Sequence, residues 1–92
     1  MISKDDREKI RETAKKFKVK RVLLFGSSLS SDTQAKDIDI AVEGLAPEKF
    51  FEFYGALLFQ LSKPVDVVDL SQKSRFTDFI SRKSVVIYGC WN

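Results

Sequence analysis

Two apolar segments that flank a short polar turn constrain this sequence more than any other feature. Residues 22–25 form an apolar run typical of a buried strand, and Gly26-Ser27 interrupts it. The apolar pattern resumes at residues 37–42, which predicts a second strand. The chain between these two strands is polar, so we expect it to form a surface turn.

The second strand carries two acidic side chains on one face. Because alternate residues of a strand point the same way, Asp37 and Asp39 share a face, about 6–7 Å apart along the backbone. Ile38 and Ile40 then point into the core. Asp is depleted in strands and two like charges repel, so we expect this pair to have a function. Carboxylates at this spacing can bind a hard cation such as Mg²⁺.

The break between the strands has the features of a phosphate-binding turn. Gly26 ends the first strand and lets a ligand approach the backbone. The serine-rich segment that begins at Ser27 can start a short helix, whose free N–H groups favour a phosphate.

These motifs resemble a known signature when they are taken in order. Gly26-Ser27, nine intervening residues and Asp37-Ile38-Asp39 resemble the motif of nucleotidyltransferases related to polymerase beta. At this length the chain resembles the minimal nucleotidyltransferase (MNT) branch. Residues 64–70 resemble the strand with the third carboxylate of that family, and residues 85–89 resemble its closing strand.

The resemblance implies an α+β fold, with a small mixed β-sheet and helices packed against it. The expected order is helix, strand, turn, strand, helix, strand, helix, strand, in a single minimal nucleotidyltransferase domain over residues 1–92. The third strand contains two aspartates of opposite parity, so only Asp66 or Asp69 can face the first two. The resemblance selects Asp66, although on the residues alone both can be ordinary strand-end residues.

The resemblance also implies the chemistry. A nucleoside monophosphate, with AMP from ATP favoured, would pass to a hydroxyl of a protein or an RNA, with Mg²⁺ or Mn²⁺ at a two-ion site. The catalytic and metal-binding residues would be Asp37, Asp39 and Asp66, and the nucleotide-binding residues would be Gly26, Ser27 and Ser28.

Members of the MNT family are often antitoxins of small helical HEPN ribonucleases, which implies a HEPN partner and an ATP or other NTP ligand. The enzyme hypothesis has an alternative, a weakly active or inactive module that neutralises its partner by contact. Relatives commonly place a basic residue, a small residue and a glycine after Gly-Ser, where this chain has Ser28, Leu29 and Ser31. Lys36 either compensates or is an ordinary loop lysine. The acidic residues are intact, which favours an active site.

The sequence lacks the residues that several other kinds of active site or metal site need. The chain has no His and one Cys, so neither a serine hydrolase base nor a zinc site is available. No P-loop motif is present. The single Cys90 favours a reducing compartment, and neither a membrane span nor a signal peptide is evident, so we expect a cytoplasmic protein.

The remaining pattern predicts three helices. Ser3 caps a helix over residues 4–17, and residues 1–21 hold nine Lys or Arg against four Asp or Glu, which indicates a solvated face or an acidic or nucleic-acid partner. A second helix over residues 47–62 presents one broad apolar face, and a short third helix follows over residues 73–83. Phe59 lies off the apolar face, either partly shielded or in contact with a partner or a second copy. The apolar face comprises Phe50, Phe53, Tyr54, Leu57, Leu58 and Leu61, with Phe51 at its margin.

Overall fold

The structure is a computed structural model of the 92-residue chain, and it describes residues 3–26, 37–71, 80 and 83–89. Two helices and four strands are defined, and a 3₁₀ turn over Pro47–Lys49 leads into the second helix. Ile80 is helical, whereas most of the predicted third helix lies outside the described residues. In chain order the elements are α1 (Lys4–Lys16), β1 (Arg21–Phe25), β2 (Ile38–Glu43), α2 (Phe50–Gln60), β3 (Val65–Asp69) and β4 (Val85–Tyr88).

The four strands form one mixed sheet in the order β3-β2-β1-β4. β1 pairs antiparallel with β2 and with β4, and β2 pairs parallel with β3. A parallel pair needs a crossover connection, and α2 supplies it between β2 and β3. The predicted α+β fold with a mixed sheet and packed helices is confirmed.

Strand alternation gives the sheet two different faces. One face packs against α1 and α2 and forms the main core, which includes Ile10, Val22, Ile40, Phe53 and Leu57. The other face carries a smaller cluster of Leu23, Ala41 and Ile80. In the described part of the chain, no helix has the length and apolar character needed to cross a membrane.

The end of α1 directs the chain into β1. Lys18 adopts a left-handed conformation with φ 58°, which is uncommon for a residue other than glycine. The Lys18 N–H donates to the Lys15 carbonyl and the Val19 N–H donates to the Ala14 carbonyl, at 3.2 and 3.0 Å. This pair of bonds satisfies carbonyls that the end of a helix would otherwise leave open. The chain turns back toward the sheet as a result.

The buried side of α2 is narrower than the sequence pattern predicts. Phe53 and Leu57 are fully buried, and Phe50, Tyr54 and Leu61 are partly buried against the main core. The prediction was wrong for Leu58, which is 49% exposed, and Phe51 is 84% exposed. The sheet and α1 contact α2 along one stripe centred on Phe53 and Leu57, and a 100° step per residue carries Leu58 away from it.

A buried carboxylate joins the start of α1 to the end of α2. Asp6 is 2% exposed, and its oxygens accept hydrogen bonds from the Ser62 N–H at 3.1 Å and the Ser62 hydroxyl at 2.6 Å. The Ser3 hydroxyl accepts from the Asp6 N–H at 3.1 Å and caps α1, as the sequence predicts. Asp6 therefore fixes the packing of the two helices at this end.

We expect Asp6→Ala to lower the free energy of unfolding by about 1–3 kcal/mol, because it removes the two hydrogen bonds that the buried carboxylate accepts from Ser62. Urea unfolding monitored by circular dichroism measures the change. Asp5→Ala is the matched control, since the Asp5 side chain is 78% exposed and only pairs with Lys9 at the surface. It should cost about 0.5 kcal/mol or less. Equal midpoints for the two variants would show that the Asp6 contacts are not stabilising.

Candidate functional site

The predicted acidic residues meet where β1 ends and β2 and β3 run side by side. Asp39 lies directly opposite Phe25 in the β1–β2 pair and directly opposite Asp66 in the β2–β3 pair. Residues opposite each other on neighbouring strands share a face, and the strands lie about 4.8 Å apart. Asp39 and Asp66 are therefore neighbours on the sheet face that does not contact α1 and α2.

Asp37 extends this acidic group by one step along the chain. It immediately precedes Ile38, the first residue of β2, and lies two residues before Asp39. Asp37 and Asp66 are exposed, whereas Asp39 is half-buried. The three carboxylates combine one partly enclosed position with two that are open to solvent.

Gly26 brings the backbone against the middle carboxylate. Its φ of 66° is left-handed, and a Cβ added to it would lie 2.7 Å from Asp39 Oδ2 and 3.3 Å from Asp39 Cγ. No side chain fits in that space. The glycine leaves the Asp39 carboxylate room that any other residue would fill. The predicted approach of a ligand to the backbone at Gly26 stays a prediction.

The second aspartate of β3 lies elsewhere. Asp69 pairs in register with Val42, and its Oδ1 accepts a hydrogen bond from the Ser71 N–H at 2.9 Å. This short-range bond is typical of an aspartate that stabilises a turn. The parity prediction is confirmed: Asp66 faces Asp39, and Asp69 belongs to the end of the strand.

The residues suit a metal ion in their chemistry and in their placement on the backbone. Carboxylate oxygens are the ligands that Mg²⁺ prefers, and a pair of neighbouring strands supplies them from one face. The side chains are not drawn together, however: within residues 3–26, 37–71, 80 and 83–89, no three His, Cys, Asp or Glu side chains are grouped to hold one ion. The metal-binding roles of Asp37, Asp39 and Asp66 stay a prediction.

Most of the predicted phosphate-binding turn lies outside the part of the chain that the structure describes. This holds for Ser27, Ser28 and Lys36, whose predicted roles stay predictions. Phe25 was not predicted to lie near the acidic residues, and it is half-buried opposite Asp39. The sequence pattern could have predicted this position, because the antiparallel pairing of two strands joined by a turn aligns the end of the first strand with the start of the second.

The sequence and the structure can be compared with known proteins. The family model described as "Polymerase beta, Nucleotidyltransferase" matches residues 8–90. The chain belongs to this nucleotidyltransferase family. No curated protein matches it in sequence.

Solved structures of toxin–antitoxin complexes share this fold. One, a toxin–antitoxin with AMP-PNP, has a TM-score of 0.74 and 27% identity, and the match covers 91% of this chain and 73% of that chain. The MntA-HepT toxin–antitoxin has a TM-score of 0.69 and 25% identity, covering 92% and 71%. A third contains the tri-AMPylated HEPN toxin of Shewanella oneidensis in complex with MNT antitoxin, with a TM-score of 0.70, 25% identity and coverage of 92% and 71%. The nucleotidyltransferase fold of this chain is therefore that of MNT antitoxins.

We expect Asp66→Asn to stabilise the ligand-free protein, because it removes one of two like charges that lie opposite each other on neighbouring strands. The gain should be about 0.2–1 kcal/mol, the usual size of a cross-strand pair. Asp69→Asn is the matched control on the same strand, where the opposite residue is Val42 and no such repulsion is relieved. Thermal melts without divalent metal measure both. A less stable Asp66→Asn variant would contradict the expected repulsion.

Proposed function

We propose that this protein is a Mg²⁺-dependent nucleotidyltransferase that transfers AMP from ATP to a hydroxyl of a HEPN toxin and thereby acts as its antitoxin. The observation that carries the proposal is the alignment of Asp39 with Asp66 across β2 and β3, with Gly26 against the Asp39 carboxylate. The fold supports the same reaction class. Toxin–antitoxin structures with AMP-PNP and with an AMPylated HEPN toxin support the nucleotide and the acceptor.

Each acidic residue has a distinct place in this proposal. Asp39 is held by strands on both sides and would supply the half-buried carboxylate of the metal site, beside Gly26. Asp37 and Asp66 are exposed and would complete the ligand set, Asp37 from the start of β2 and Asp66 from the neighbouring strand. Mg²⁺, when bound, neutralises triphosphate charge and lowers the pKa of the attacking hydroxyl. Pyrophosphate leaves as the new phosphate ester forms.

Gly26 keeps the Asp39 carboxylate in place beside the backbone. The carboxylate occupies the space that a side chain at residue 26 would need, and the metal that Asp39 would hold would bring the phosphates to this point. Ser27 and Ser28 follow at once in the chain and would donate hydrogen bonds to the phosphates.

The single cysteine of the sequence is in keeping with a reducing compartment, and we place the activity in the cytoplasm.

The alternative is a binding module without useful transfer activity. The separation of the three acidic side chains in this structure favours it, since they are not grouped around one position. The two functions differ in a measurable way. An enzyme labels the toxin covalently in proportion to time, whereas a binding module inhibits only at stoichiometric amounts and leaves the toxin unmodified.

We expect Asp37→Ala, Asp39→Ala and Asp66→Ala each to reduce AMP transfer by at least about 100-fold, since each removes a ligand of the metal that would stabilise the transition state. Transfer of label from α-phosphate-labelled ATP to a purified HEPN partner measures the rate. Asp69→Ala is the control, because Asp69 lies away from Asp39 and contacts Ser71. Wild-type transfer by Asp39→Ala would exclude these residues as the catalytic centre.

We expect Gly26→Ala to lose most of the thermal stabilisation that Mg²⁺-ATP gives to the wild type, about 2.7 kcal/mol at 100 times the dissociation constant. The added methyl would lie 2.7 Å from Asp39 Oδ2 and displace that carboxylate. Gly44→Ala is the matched control, with φ 84° and a Cβ 2.6 Å from Lys20 Cβ, beyond the other end of β2.

Both glycine variants should melt at a lower temperature than the wild type, because each forces a side chain into a left-handed backbone. Only Gly44→Ala should keep the ligand-induced shift. If Gly26→Ala keeps the full shift as well, the nucleotide does not bind at this end of β2.

A further inference from the structure

The side of α2 that faces away from the sheet exposes large apolar side chains, beyond the contact of the Phe51 ring with Phe50, whose ring centroids are 5.8 Å apart. Phe51 and Phe59 are 84% and 94% exposed, and Leu58 is 49% exposed. Together with Gly55 they occupy positions i, i+4, i+7 and i+8, which lie on one side of a helix. We call Phe51, Gly55, Leu58 and Phe59 the outer face of α2.

Gly55 is at the centre of this outer face. Glycine disfavours a helix relative to alanine, so its presence in the middle of α2 calls for a packing reason. The described residues give none, because a Cβ added at Gly55 would meet no atom within 4 Å. A small residue does have a use where another helix approaches, since it lets the two backbones come close.

The outer face has a symmetry that selects its occupant. Phe51 lies four residues before Gly55 and Phe59 lies four residues after it. If a second α2 packs antiparallel with a two-fold axis at Gly55, Phe51 of each copy meets Phe59 of the other. An interface between identical copies needs this kind of self-complementarity, whereas an unrelated partner does not.

The charged residues at the two ends of α2 follow the same symmetry. Glu48 precedes α2 and Lys63 follows it, both beyond the phenylalanines. In an antiparallel pair the acidic end of one helix lies beside the basic end of the other, and the helix dipoles are also opposed. A parallel pair would place like charges and like dipole ends together.

The area fits a weak, concentration-dependent contact. Phenylalanine side chains bury about 150–250 Å² each, so the four in two copies would bury roughly 700 Å². A stable interface buries at least about 1,200 Å² in total. The two Leu58 side chains add to the contact only at its margin, where the two-fold axis places each opposite the exposed Glu52 of the other copy. We propose that the protein self-associates as a two-fold antiparallel dimer through the outer face of α2.

Sedimentation equilibrium of the full chain across a wide concentration range, without nucleotide or toxin, tests the dimer. Phe51→Glu and Phe59→Glu should each raise the dimer dissociation constant by at least about 100-fold, because the two-fold axis makes every substitution count twice. Neither should lower the melting temperature of the monomer appreciably, since both side chains are exposed. Val85→Glu is the matched control at an exposed apolar residue away from α2, since Val85 is 52% exposed on the edge strand β4.

Mixed variants test the antiparallel arrangement. Phe51→Lys and Phe59→Glu should each be monomeric alone, because both put a charge against a phenylalanine at two places. Their equimolar mixture should recover dimers, since one contact becomes a Lys–Glu pair and the other stays Phe–Phe. Recovery within the mixture cannot come from misfolding of either variant.

Several results would overturn the proposal. A wild type that stays monomeric at all concentrations would do so, as would dimers that Phe59→Glu leaves intact but Val85→Glu disrupts. Failure of the mixture to recover dimers would exclude the antiparallel two-fold contact. If Phe59→Glu weakens only the binding of a HEPN protein, the occupant is a different helical partner. None of these measurements depends on AMP transfer, so the dimer and the enzyme proposal can fail separately.

Discussion

The pairing of β2 with a strand on each side is the constraint on which the rest of the structure depends. Strand alternation forces Ile38, Ile40 and Val42 toward the helices, where they fill the main core. The same alternation leaves Asp39 on the opposite face, beside Asp66. A shift of one residue in register would bury the carboxylates and expose the isoleucines, so the energy that fixes the core also fixes the site.

Strand parity and motif order made the fold and the acidic group predictable from the sequence. The two faces of β3 and the Ser3 cap follow from short-range patterns, which a single sequence contains, whereas the mixed-sheet fold was expected from the family resemblance. The burial of Asp6 does not, because it depends on Ser62, which is far away in the chain. Leu58 was wrongly predicted as buried for a related reason: periodicity gives the apolar side of a helix, but the width of the contact depends on what packs against it.

The arrangement of the acidic side chains at the candidate site is also only partly predictable from the sequence. Residue types and spacing identify which carboxylates share a face, and the strand register shows that Asp39 and Asp66 are neighbours. How closely their oxygens gather depends on charge, and three acidic side chains without a cation repel one another. The contact between Gly26 and Asp39 is different, because it comes from backbone geometry and is present before any ligand binds. The structure thus has a preformed backbone and neighbouring like charges at one place.

The sheet separates the two surfaces that matter for function. The acidic residues lie on the face that does not contact α1 and α2, whereas the outer face of α2 points away from the sheet on the far side. A contact made by the outer face of α2 therefore leaves the face that carries Asp39 and Asp66 uncovered. In an assembly joined through α2, the two reaction centres would be directed outward in opposite directions. Such an assembly would be bivalent, able to engage one acceptor on each side at the same time.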